Sequence, residues 1–112
     1  MTVSEMREPT FLILAALADG PKHGYGVIAE VAQLSGDRVR LRPGTLYAAL
    51  DRLCAGALVR PAGEEVVDGR LRRYYELTDS GATSLATEAA RLRSNAEQAL
   101  RRLRLRPAGG AA

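Results

Sequence analysis

The sequence predicts a mostly α-helical domain with a small β-hairpin, extended by one long C-terminal helix. Three observations carry that expectation. Residues 43–56 (PGTLYAALDRLCAG) place Leu46, Ala49, Leu50 and Leu53 on one face at helical spacing. Asp68-Gly69, a strong tight-turn signal, separates the strand-like Val66-Val67 from a second stretch ending in Tyr74-Tyr75-Glu76-Leu77-Thr78. From Thr78 or Asp79, both good N-caps, a helix can continue to about Arg104.

The elements before this block follow in order. Residues 9–18 (PTFLILAALA) read as a short, largely buried first helix, with Pro9 in the first turn where its missing N–H costs nothing. Asp19-Gly20-Pro21 stops it. A second helix is expected from about Tyr25 to Leu34, since Val27, Ile28, Val31 and Leu34 recur at three- and four-residue spacing. Ser35-Gly36-Asp37 ends it, and the alternation Arg38-Val39-Arg40-Leu41-Arg42 reads as a short strand. The third helix buries its Leu46–Leu53 stripe against the first two. Thr45, Ala48, Asp51, Arg52 and Ala55 then point away, small at 48 and 55 and cationic at 52. Such a face suits entry into a major groove about 12 Å wide. In the hairpin, Arg70, Arg72 and Arg73 cluster on the return strand, opposite Glu64 and Glu65 on the outgoing one. Helix, turn, helix, recognition helix and wing in this order form a winged helix-turn-helix, an architecture that reads duplex DNA.

The last helix would be roughly 40 Å long at 1.5 Å per residue. Leu85, Ala89, Leu92, Ala96, Ala99 and Leu103 are spaced 4, 3, 4, 3, 4, a coiled-coil seam that needs a partner. A second copy of the chain is the expected partner, giving a homodimer. The expected organisation is therefore a winged helix-turn-helix over residues 1–77, a dimerisation helix over 78–106 and a disordered tail over 107–112.

Composition agrees with this reading and excludes others. The chain has 112 residues, one domain's worth, with 46% hydrophobic residues but only 4% aromatic. The net charge is +3, and all but one of the 16 cations are arginines, whose planar fork suits phosphate and guanine edges. Cys54 is the one cysteine, so no intrachain disulfide forms and a cytoplasmic setting is expected. The apolar run from Phe11 to Ala18 is too short to span a bilayer. His23 has no second ligand at motif spacing and reads as a cap or packing residue; Cys54 reads as a small buried hydrophobe. No metal, cofactor or catalytic set is expected: Ser35, Thr45 and Cys54 have no histidine in a recognisable arrangement.

The strings PGTLYAALDRLCAGAL (43–58), RRYYELTDSG (72–81) and HGYG (23–26), in that order, resemble the PadR family of bacterial transcriptional regulators. The resemblance covers roughly residues 8–104 and is closest to the compact subfamily with a single C-terminal helix. It implies a homodimeric repressor binding a palindromic operator in double-stranded DNA. Carried over residue by residue, it implies contacts to DNA from Tyr25 at the start of the second helix, Tyr47 in Thr45-Leu46-Tyr47, and Tyr75 with Arg72 or Arg73 on the wing. With Arg42, Ala48, Arg52 and Arg70, these form the expected DNA face. The family commonly responds to small aromatic ligands; a chain without Trp and with one Phe offers no aromatic platform on its long helix, so close helix packing and a small aliphatic effector, or none, are expected. The alternative is a winged-helix dimer serving protein–protein contacts, and salt dependence separates the two.

Overall fold

A computed structural model describes residues 6–108. Its order is α1 (Glu8–Ala16), β1 (Lys22–His23), α2 (Gly24–Leu34), α3 (Pro43–Ala55), β2 (Val59–Val67), β3 (Arg70–Leu77) and α4 (Asp79–Arg104). The three strands form one antiparallel sheet in the order β1-β3-β2.

Local chemistry sets the boundaries. Glu8 and a proline occupy the first turn of α1, favourable at the positive end of the helix dipole. Lys22 Nζ donates to the carbonyl of Ala16 at 2.6 Å and pairs with Asp19, closing the far end. His23 caps α2 by accepting the Gly26 N–H on Nδ1 at 3.3 Å. Thr78 caps α4 by accepting the Gly81 N–H at 2.9 Å, while its hydroxyl donates to the Ala57 carbonyl. In the hairpin turn Asp68 and Gly69 both have positive φ, 52° and 75°, the pairing that matches strand twist. Two residues, Ala62 and Gly63, stand opposite Tyr74 alone, a bulge that Gly63 allows with φ 112°.

Ile13, Leu14 and Leu17 meet Val27, Val31, Leu46, Leu50 and Val59 in a fully buried core. Each such side chain contributes roughly 1.5–3 kcal/mol by leaving water. Only the first half of α4 joins this domain: Gly81 is buried, Leu85 packs against the core, and every residue from Leu92 to Arg104 is exposed. Buried Glu88 is gripped by Arg91 through both oxygens. The Arg91 guanidinium holds its carboxyl below the ordinary carboxylate range.

Two expectations are corrected. Residues 38–42 form no strand. Gly36 and Asp37 take positive φ, Ser35 accepts the Val39 N–H on its hydroxyl, and the segment becomes an extended connector that tucks Val39 and Leu41 onto the core. The third strand comes instead from Lys22-His23, a pair too short to show any periodicity. Leu85, expected in the intersubunit seam, packs on its own domain. Of the tail expected to be disordered, residues 109–112 lie outside the described residues.

Candidate nucleic-acid interface

Helix α3 buries Leu46, Ala49, Leu50 and Leu53 and leaves Thr45, Ala48, Asp51, Arg52 and Ala55 exposed. The 3.6-residue period forces this division, because the four apolar positions use up the face that meets α1 and α2. Tyr47 lies at the border, 37% exposed, with its ring across the first turn of α2. Gly24 makes that crossing possible: a Cβ there would lie 2.2 Å from the Tyr47 hydroxyl. Tyr25, on the next position, is 63% exposed.

The wing stands beside this helix. Strand alternation puts Leu71, Arg73 and Tyr75 on the face toward α3, and Arg70, Arg72 and Tyr74 on the other. Tyr47, Leu71 and Arg73 line an open cleft between recognition helix and wing. Tyr75 is buried, packed at the inner end of this face. Its expected DNA contact is therefore corrected: the second tyrosine of RRYYELT is a core residue, because it falls on the inward register of β3. Burial pushes its hydroxyl pKa upward, as it does the Cys54 thiol, where Asp51 adds to the effect.

Ion pairing sorts the arginines. Arg38 pairs with Glu8, Arg40 with Asp37, Arg60 with Glu76, and Arg73 with Glu64 at 3.6 Å across the hairpin. Arg42 at the N-cap of α3, Arg52 on its outer face, and Arg70 and Arg72 on the wing have no carboxylate partner among the described residues. Uncompensated cations thus lie on α3, its entry and the wing, and again at the far end of α4, where Arg101, Arg102, Arg104 and Arg106 also have no carboxylate partner among the described residues. On the projecting half of α4, Leu92, Ala96, Ala99 and Leu103 are all exposed, as is Ala89 before them. Leu100, 56% exposed, was missed by the strict 4-3 spacing, yet it lies four residues beyond Ala96 and widens the same stripe.

Residues 13–87 match the PadR-like family of transcriptional regulators. The chain belongs to that family. It is 39% identical over 88 residues to the transcriptional regulator Rv3488 of Mycobacterium tuberculosis, covering 79% of this chain and 78% of that protein. It is 51% identical over 78 residues to a 37.1 kDa protein of transposon TN4556 from Streptomyces fradiae, covering 70% of this chain but only 21% of that relative's length. Among solved structures, Bacillus subtilis PadR in complex with operator DNA has a TM-score of 0.64, covering 72% of this chain and 46% of that one; at 22% identity this likeness establishes the fold. The PadR-like fold accounts for the first three helices, the wing and the long last helix. Among the described residues no helix is long and apolar enough to cross a membrane.

Replacing Gly24 with alanine should separate folding from the interface. The clash is with the far end of a flexible side chain, so Tyr47 can swing away and stability should fall by less than about 1 kcal/mol. The displaced ring then disturbs the outer surface of α3. Thermal melts close to wild type with weakened duplex binding are expected; unchanged binding would remove Tyr47 from the interface.

Proposed function

We propose that this PadR-like chain is a non-enzymatic homodimeric repressor that binds a palindromic operator through α3 and the wing. The observation that carries the reading is the exposed outer face of α3, with Arg42 at its entry, Arg52 on it and Arg70 and Arg72 on the adjoining wing all without a carboxylate partner among the described residues. The relative solved with operator DNA shares this fold, which supports it. Thr45, Ala48 and Arg52 enter the major groove, Arg70 and Arg72 meet the backbone alongside, and Tyr25 reaches a phosphate from the start of α2. The exposed stripe of α4 pairs with its copy, so two recognition helices address half-sites about 34–36 Å apart. Phe11 packs on the core and α4 carries no aromatic side chain, which favours close helix pairing over an aromatic effector site.

Exposed Val66 and Leu71, paired across the wing, favour a second reading as a protein-docking module. Titrating salt decides between them. Each phosphate neutralised adds about 0.9 to the slope of log K against log salt, whereas apolar docking is nearly insensitive to salt. Within the DNA reading, Arg52→Ala should cost roughly 1–3 kcal/mol and relax preference at one position per half-site. Arg70→Ala should weaken binding about equally on all sequences and flatten the salt slope by about one unit. Identical behaviour of the two variants on selected and random duplexes would refute this division of labour.

A further inference from the structure

The imidazole of His23 does more than cap α2. Its Nδ1 accepts the Gly26 N–H at 3.3 Å, so in the neutral ring the proton resides on Nε2. Facing that Nε2 at 3.5 Å is Nη1 of Arg72, another donor. Two donors pointed at each other do not bond; Arg72 also reaches the Tyr74 hydroxyl, which leaves the His23 Nε2–H in need of an acceptor. Nor does a carboxylate occupy the gap. Glu65, opposite Arg72 in the hairpin, has an oxygen engaged by the Tyr74 hydroxyl at 2.6 Å. The tyrosine ring in turn stands edge-on to the imidazole at 5.5 Å and 88°, fixing its orientation. The pair lies beside the start of α2, on the face of the wing turned away from α3, two residues before the exposed Tyr25. A DNA strand held by Tyr25 would pass along this side.

We propose that His23 Nε2–H and Arg72 clamp the oxygens of one backbone phosphate in each half-site. The proposal rests on the DNA-binding reading and adds a residue to it. It makes His23 a hinge between fold and ligand, with one nitrogen holding α2 and the other holding DNA. Arg72 supplies the fixed charge, while the imidazole Nε2–H supplies direction, so the two contribute differently to salt dependence.

His23 is the only histidine in the chain, so its ring nitrogens can be read by NMR without overlap. In the free protein above neutral pH, the 15N shifts should report a proton on Nε2; a proton on Nδ1 would overturn the proposal without touching the DNA-binding reading. His23→Asn is the discriminating variant, because Asn is among the best N-caps yet is too short to reach Arg72. On a duplex that the wild-type protein selects from a random library, His23→Asn should keep its melting temperature, lose about tenfold in affinity and keep its salt slope. Arg72→Ala should lose a similar factor and about 0.9 of slope. A single neutral methylphosphonate per half-site should abolish the effect of both substitutions, and the double variant should lose less than the product of the two. Wild-type affinity for His23→Asn, or losses that persist at every methylphosphonate position, would overturn the clamp. If the wild-type protein itself shows no salt-dependent duplex binding, the functional reading falls together with it.

Discussion

Gly81→Ala should strongly destabilise the winged-helix domain, costing about 3 kcal/mol or more. A Cβ at this position would stand 2.0 Å from the carbonyl oxygen of Leu58 and 2.7 Å from Leu77 Cδ1. The first of these is backbone, and it cannot step aside. The Leu58 carbonyl already accepts the Thr78 N–H at 3.1 Å, and the Thr78 hydroxyl is bonded to the Ala57 carbonyl. The Gly81 N–H is itself the donor that Thr78 caps. Making room for one methyl group therefore means lifting the start of α4 off the β2 entry and breaking three hydrogen bonds in the process. Loss of a cap alone is worth roughly 0.5–2 kcal/mol, so the sum exceeds what an exposed Gly→Ala change would return in helix propensity. Chemical denaturation should show a lower midpoint with an unchanged slope. A variant as stable as wild type would mean that α4 leaves the domain by another path. Gly24→Ala, where the obstacle is the end of a tyrosine side chain, should differ sharply from it.

These two glycines show where sequence reasoning reached and where it stopped. The α3 stripe, the Asp68-Gly69 turn and the Thr78 cap were legible because each is a local pattern whose chemistry is complete within a few residues. Helix ends fell within a residue or two for the same reason. Residues 38–42 misled because alternation describes a surface and not a partner: both sides of β3 are taken, by β2 and by Lys22-His23, and the segment pairs with no strand. Tyr75 was assigned outward by resemblance, yet register decides its direction. Counting back by twos from Leu77, which packs on the core, would have turned Tyr75 inward and Tyr74 outward. The His23–Arg72 contact joins residues 49 positions apart, and no local rule brings them together.

Leu92→Glu should convert the proposed homodimer into monomers. Leu92 follows Arg91 at the point where α4 leaves its own domain, and it is 40% exposed there. Removing it therefore takes little from the fold of one chain, and glutamate is a good helix former at such a site. In a paired seam the consequences are larger and appear twice. Each subunit loses the burial of one leucine, roughly 1.5–3 kcal/mol, and two carboxylates approach one another in an apolar strip, each costing several kcal/mol unless it escapes to water. Even about 5 kcal/mol in total raises the dissociation constant by more than a thousandfold. Sedimentation or light scattering at micromolar concentration should give the mass of a single chain, with the helical circular dichroism of the folded protein retained. Operator affinity should fall steeply as well, since a monomer reads one half-site and gives up the gain from tethering the second. Leu105→Glu serves as the control: Leu105 is more exposed, at 68%, but lies just beyond the end of α4 and off the 4-3 stripe, so its substitution should leave the assembly intact. A Leu92→Glu protein that stays dimeric, or a Leu105→Glu protein that dissociates, would place the subunit contact elsewhere on the helix.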